Sequence, residues 1–378
     1  MSRQNEIFAK ARDRVTLSRE EAYWLWEEAP LERLAMTADE VRRAVVPDSD
    51  VVTWQIDRNV NITNVCISGC KFCNFHCKPH QTERAFITTI DEYRQKIDRM
   101  LELGGDQLLL QGGLHPKLGI EFYEELFTTL KSLYPQVRLH ALGAPEVAHI
   151  AKISNLTPRE ALQRLVAAGL DSLPGAGAEI LNEDVRRAIS PAKPSAREWL
   201  DVMHEAHLMN LPTSATMMYG HVESPRQRVD HLLAIRDLQA ACPEGNWGFI
   251  AFIPWIFRST GTRLEQEGVK SHFSPLEYIR IIAVSRLILN NIRNIQASWL
   301  TVGKPTAQLA LHSGANDMGS IMIEENVVSS AGAHNEFDAE GIQKAIREAG
   351  FTPQLRDQLY RKREYRIGGT NKIAINAR

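Results

Sequence analysis

The chain has 378 residues, 44% apolar and 24% charged, with a formal net charge of −2. That length suits one large α/β barrel or two ordinary domains, and the composition is that of a globular chain rather than a disordered one. The near-neutral balance gives no reason to expect nucleic acid or an anionic membrane surface as a partner.

The opening run, Met1-Ser2-Arg3-Gln4-Asn5-Glu6, is polar and lacks the apolar core of a signal peptide. The most apolar stretch, 279–288, is interrupted by Arg280 and Arg286 and is too short to span a bilayer. Four clustered thiols without an export signal point to the reducing cytoplasm rather than to disulfides.

Residues 1–50 read as a helical extension, in which Ser18 and Glu21 form a capping box opening a helix over 20–28. From 51 to 360, strand-like and helix-like stretches alternate, as parallel strands joined by crossover helices do. The expected strands cover 52–63, 107–111, 137–142, 171–174, 212–219, 247–254, 292–299 and 315–321. Thr89 with Glu92 starts a helix over 91–103. Ser224, Pro225 and Gln227 start one reaching about 239, and Ser274, Pro275 and Glu277 start another. Residues 361–378 form a tail.

Eight strands with intervening helices predict a (β/α)8 barrel, closed or partly split, with a doubly wound open sheet as the alternative. Polar or Gly-rich segments follow the strands at 111–116, 174–179, 219–223, 298–301 and 316–317. In a barrel such strand ends share one mouth, where active sites are built.

Cys66, Cys70 and Cys73 follow the first strand, in the run Cys66-Ile67-Ser68-Gly69-Cys70-Lys71-Phe72-Cys73. Thiolate is the ligand that iron–sulfur clusters require, and three so close can hold three corners of a 4Fe–4S cluster. The fourth iron is then open to a second molecule, whereas a fully ligated cluster only passes electrons. Cys77 adds a fourth thiol, so a zinc knuckle or an electron-carrying cluster stays open as a reading. Structural zinc sites, however, usually draw ligands from two separated pairs. Cys77, His76 and His80 are read as neighbours of the cluster, and Cys242 as buried filler at a helix end.

The cysteine spacing, with Phe72 before the third thiol, resembles the signature of radical S-adenosylmethionine (SAM) enzymes. The resemblance implies that the amino and carboxylate groups of SAM take the open iron. Gln111-Gly112-Gly113 resembles the Gly-Gly motif after the second strand, with Leu114 where an acid is usual, and its glycines permit close approach to the SAM amino group. Glu179, closing the loop from Gly175, is the candidate for the ribose hydroxyls. Gly220 with Glu223 resembles the fifth-strand motif near the adenosyl group, although Glu223 can equally cap the helix after Ser224.

From about 57 to 360 the chain resembles the cyclic dehypoxanthine futalosine synthases of the futalosine route to menaquinone. Aminofutalosine synthase and the enzymes of the deazaflavin chromophore are sister families. The shared segments are 66–73, 110–116, 175–179 and 218–221, and three more, 252–257, 296–301 and 324–329, look like the cyclising enzymes. Asn74, His80 and Ala176 depart from the commonest pattern and leave the substrate open among the sisters.

The resemblance implies a 5′-deoxyadenosyl radical that takes hydrogen from ribose C4′ of dehypoxanthine futalosine. The carbon radical then adds to the substrate's benzoate ring, and loss of an electron and a proton restores aromaticity. A base is needed, and the candidates for polar roles are His115 first, then His221, Glu146, Asp317 and Glu324. His140, in an apolar run, reads as a core histidine. Trp255 and Trp299 are placed to stack on a flat ring. The implied electron donor is a low-potential flavodoxin or ferredoxin.

Overall fold

The computed structural model describes residues 2–333 and 335–365. The tail expected at 361–378 therefore lies mostly outside the described residues. In chain order the strands are β1 Val51–Gln55, β2 Asp57–Asn61, β3 Gln107–Gln111, β4 Arg138–Ala141, β5 Thr213–Tyr219, β6 Phe249–Ile256, β7 Asn294–Ile295, β8 Asp317–Ser320 and β9 Thr352–Leu355. They form three parallel sheets, ordered β8-β1-β9, β2-β3-β4 and β5-β6-β7. Single parallel bridges run between neighbouring sheets, from Arg58 to Ile323, His140 to Ser172, Leu173 to Thr213 and Gln296 to Asp317.

Two expectations change. The strand expected over 52–63 is two strands, because the chain breaks its pairing at Ile56 and β1 and β2 join different sheets. The strand expected at 171–174 is reduced to the two bridges at Ser172 and Leu173. β9 has no sequence-based counterpart: its Pro353 lacks an amide hydrogen, which is tolerated at a sheet edge, and β9 pairs with β1 alone among the described strands.

The capping boxes at Ser18, Thr89 and Ser224 all form, at the starts of helices Arg19–Glu27, Ile90–Glu102 and Pro225–Ala240. Such signals are local, so the side chain meets the N3 amide whatever the tertiary context. The helix Pro275–Ile288 is buried on nearly every side because Leu31–Val45 packs against it from outside the sheets. That second layer explains why 279–288 is the most apolar run of the chain. Among the described residues no helix is long and apolar enough to cross a membrane.

β2 and β3 place polar residues where a buried parallel sheet is usually apolar. Their register sets Asp57 beside Gln107, Asn59 beside Leu109 and Asn61 beside Gln111. The period of two turns all six toward one cavity, while Leu108 and Leu110 are buried on the other face.

Candidate active site

The cysteine loop is closed at its base by main chain. Cys66 N–H donates to the Cys77 carbonyl and Cys77 N–H to the Asn64 carbonyl, each at 2.9 Å. Gly69 sits at φ +61°, the left-handed region that glycine occupies without a Cβ penalty. The Ser68 hydroxyl lies 2.9 Å from Cys66 Sγ and 3.3 Å from Cys70 Sγ, and Leu114 N–H donates to Cys66 Sγ at 3.2 Å.

Cys66, Cys70 and Cys73 line the cavity. Cys77 is not part of its wall, being fully buried with Sγ 3.4 Å from Asn64 Oδ1. Burial pushes the Cys70 thiol up to about 11 and raises Cys73 as well, so thiolates here need cations beside them. Iron supplies that charge, and N–H and O–H donors around the sulfurs suit a cluster. Among the described residues no three His, Cys, Asp or Glu side chains converge on the position of one metal ion. A cubane asks for a different arrangement, one thiolate at each of three irons.

The glycines after β3 serve the cysteine loop directly. A Cβ on Gly113 would lie 2.2 Å from the Val65 carbonyl oxygen, and one on Gly112 would lie 3.1 Å from Thr63 N. Their absence lets Gly113 N–H donate to the Thr63 carbonyl at 2.8 Å. Glu146, on the helix Ala144–Ile153, accepts from Gly112 N–H at 2.9 Å and from Gly143 N–H at 2.5 Å. An acid thus reaches the Gly-Gly loop from another element, where the chain itself has Leu114. Burial pushes the Glu146 carboxyl up to about 7 against the two N–H donors, which favour its ionised form.

Glu179, at φ +43°, meets Lys193 Nζ at 2.5 Å, and both line the cavity. Burial alone would raise the Glu179 carboxyl, but the adjacent Lys193 ammonium holds it below its ordinary value. The same ammonium lies 5.2 Å from the centre of the Phe72 ring, beside the third cysteine. Sequence reasoning missed Lys193. Its setting, Pro191-Ala192-Lys193-Pro194, reads as an exposed connector between helices Glu183–Ile189 and Ala196–Leu208.

The other expected site residues lie elsewhere. Glu223 accepts from Gly220 N–H at 2.6 Å, His221 N–H at 2.9 Å and Arg228 Nε at 2.7 Å, which locks the turn after β5 outside the cavity wall. His221 Nε2 donates to the Met218 carbonyl at 3.0 Å in the same turn. His115 Nδ1 accepts from Lys117 N–H at 3.1 Å, and its carbonyl accepts from His149 Nε2 at 2.8 Å. Glu324 pairs with Arg58 and Lys96. Asp317 is wholly buried against Arg356. His115, His221, Asp317 and Glu324 do not line the cavity.

The cavity encloses about 380 Å³ and reaches from the three cysteines to Gln55, Asp57, Gln107, Arg356 and Tyr360. Trp255 and Trp299 both line it, and so does Glu325, whose carboxylate is held by the N–H groups of Val327, Val328 and Ser329. His140 is both buried and in the wall. Its Nδ1 is 2.7 Å from Ser172 Oγ, and burial lowers the imidazole to about 3, so it stays neutral.

Residues 60–235 match the Radical SAM superfamily and residues 246–367 match the CofH/MqnC C-terminal region. The cyclic dehypoxanthine futalosine synthase of Streptomyces coelicolor is 44% identical over 90% of this chain and 84% of its own. A 5-amino-6-(D-ribitylamino)uracil–L-tyrosine 4-hydroxyphenyl transferase of Methanosarcina acetivorans is 38% identical over 94% of both chains. Methylornithine synthase (PylB) shares the fold at a TM-score of 0.70 and 18% identity, covering 92% of this chain and 97% of its own. The hydrogenase maturase HydG does so at 0.71 and 16%, covering 94% and 76%. The chain is therefore a radical SAM enzyme with a 4Fe–4S cluster and SAM as cofactors, and it belongs to the family that holds the cyclic dehypoxanthine futalosine synthases and the ribitylaminouracil–tyrosine hydroxyphenyl transferases.

Proposed function

We propose that this enzyme cyclises dehypoxanthine futalosine in menaquinone biosynthesis. The observation that carries the reading is the 44% identity, over nine-tenths of the chain, to a cyclic dehypoxanthine futalosine synthase. The three sheets and the bridges between them support a barrel of the (β/α)8 kind over 51–360, with residues 1–50 as a helical extension.

In this reading Cys66, Cys70 and Cys73 hold three irons, and Gln111, Gly112, Gly113 and Glu179 surround SAM. When bound, the cluster and SAM together supply a 5′-deoxyadenosyl radical. The substrate would lose its C4′ hydrogen to that radical, close C4′ onto its benzoate ring, and regain aromaticity by giving up one proton and one electron, the oxidised 4Fe–4S cluster being the proposed electron acceptor. Leu109, Ile253, Val327 and Val328 make an apolar wall that keeps water from the reacting carbon. Trp255 and Trp299 offer flat faces for the benzoate.

Glu146 is the proposed proton acceptor. It is in the wall, and a carboxyl poised near neutrality both takes and releases a proton readily. Gly220, His221 and Glu223 shape the turn after β5 rather than touch the substrate. A low-potential flavodoxin or ferredoxin is the proposed electron source, and the reduced thiols favour a cytoplasmic location.

A second reading is supported by the 38% identity to the hydroxyphenyl transferases, whose name states a ribitylaminouracil and tyrosine as substrates. The two separate in one assay. The reconstituted enzyme is offered dehypoxanthine futalosine in one vessel, and tyrosine with 5-amino-6-(D-ribitylamino)uracil in another. Consumption of the first alone supports the cyclase, and consumption of the second pair alone assigns the transferase.

A further inference from the structure

At the end of the cavity far from the cysteines, several polar side chains each keep one atom without a partner among the described residues. Asp57 and Gln107 are the first residues of β2 and β3, so they lie at the opposite end of those strands from the cysteine loop. Four strand steps separate Asp57 from Asn61, about 13 Å. Gln55, Asp57, Asn59 and Gln107 are each more than nine-tenths buried, and all four line the cavity. Yet Gln55 Nε2, Asp57 Oδ1, Asn59 Oδ1, Gln107 Oε1 and the Tyr360 hydroxyl make no hydrogen bond among the described residues. An unmet buried polar atom costs about 1–3 kcal/mol, so five at one place mark a built binding surface rather than packing.

The atoms left over also state what they bind. Arg356 donates to Gln55 Oε1 at 2.8 Å, which turns Gln55 Nε2 outward as a donor. Gln107 Nε2 faces Asp57 Oδ2 at 3.5 Å, leaving Gln107 Oε1 and Asp57 Oδ1 as acceptors. Tyr360 lies across the Arg356 guanidinium at 4.0 Å, at φ +60°, a backbone conformation that bulky residues rarely adopt. A carboxylate accepts only, so it cannot meet Asp57 and Gln107. An ammonium donates only, so it cannot meet Gln55. A hydroxyl does both.

We infer that this floor is the binding site for a run of neighbouring hydroxyls, the sugar-derived polyol end of the substrate. Asp57 and Gln107 accept from the hydroxyls, and Gln55 and Tyr360 donate to them. Burial raises the Asp57 carboxyl, with the Ser320 hydroxyl and then Arg356 opposing. The inference deepens the reading above but survives its alternative, because ribose and ribityl groups both present consecutive hydroxyls. It also sets the substrate's orientation, with the polyol at the floor and the reacting carbon toward the cysteines.

The test is calorimetric binding to the reconstituted enzyme with SAM and no reductant, so that no turnover intervenes. Dehypoxanthine futalosine and 5-amino-6-(D-ribitylamino)uracil are the two probes, with a deoxy analogue of whichever binds. Asp57→Asn is expected to weaken binding at least tenfold and Tyr360→Phe severalfold, with the melting temperature of Tyr360→Phe unchanged. For the deoxy analogue lacking the hydroxyl that Asp57 holds, the Asp57→Asn penalty should vanish. Wild-type affinity in both variants, or no binding of either probe to the wild type, overturns the floor assignment. Tight, Asp57-dependent binding of dehypoxanthine futalosine that gives no cyclic product once dithionite is added would instead sink the cyclase reading and leave the floor in place.

Discussion

Asp317 holds Arg356 with both carboxylate oxygens, Oδ2 to Nε at 2.6 Å and Oδ1 to Nη2 at 3.0 Å. The pair is buried, and Arg356 in turn fixes Gln55 and lies against Tyr360 at the cavity floor. Asp317 therefore acts through Arg356 as a positioning residue. Replacing it with alanine strands a buried cation, which costs about 3–5 kcal/mol. Chemical denaturation of Asp317→Ala should show that loss, and weaker binding at the floor should accompany it. A variant as stable as the wild type would show that the pair is not holding the floor.

Cys77 and Cys70 should respond differently to alanine. Cys77 is fully buried behind Asn64 and does not line the cavity, so its loss is expected to cost about 1 kcal/mol of packing and to leave the cluster in place. Cys70→Ala removes a wall thiol and should abolish both the cluster absorbance and turnover. Iron and sulfide analysis of the two reconstituted variants checks this. Equal loss of iron from both would restore the four-thiolate reading.

Gly113 has no room for a methyl group. Alanine there would press on the Val65 carbonyl and Cys66 Cβ, at 2.2 and 2.8 Å, both parts of the cysteine loop. Overpacking of this kind costs about 1–3 kcal/mol, and the strain falls on Cys66. Gly113→Ala is expected to take up cluster poorly while keeping its far-ultraviolet circular dichroism. Full iron content in a folded Gly113→Ala protein would contradict the close approach.

Glu146 gives a pH dependence with a defined sign. Its carboxyl is pushed up by burial to about 7 in the folded chain, above the unfolded value near 4.5. The native state then binds the proton more tightly, so its stabilising contribution is complete below about pH 4.5. It is lost as pH rises toward 7. Wild type minus Glu146→Gln, followed by thermal unfolding across pH 4.5–7.5, should show a falling difference that levels off above 7. A flat difference would place the Glu146 carboxyl in the ordinary range.

The legible parts of this molecule were those written in short stretches of chain. The cysteine run and the capping boxes at Ser18, Thr89 and Ser224 each lie within a few residues, and the Gly-Gly loop shows in its two adjacent glycines, although its partners Thr63, Val65 and Glu146 are distant in sequence. The break at Ile56 was hidden because an apolar residue there continues the strand pattern without a Gly or Pro to mark a boundary. Asp317 and Glu324 looked like catalytic acids because Arg356 and Arg58 are distant in sequence and adjacent only after folding. Lys193 was hidden in a proline-flanked connector for the same reason. The floor left one visible trace: Asp57, Asn59 and Asn61 put three polar side chains in a row on one face of a strand, a pattern out of place in a packed barrel interior.

The most direct measurement is anaerobic turnover of the reconstituted enzyme with SAM, dithionite and dehypoxanthine futalosine deuterated at C4′, read by mass spectrometry. The cyclase reading predicts 5′-deoxyadenosine one mass unit heavy, formed together with a product that has lost the C4′ deuterium and one further hydrogen. Unlabelled 5′-deoxyadenosine with the substrate untouched would contradict it.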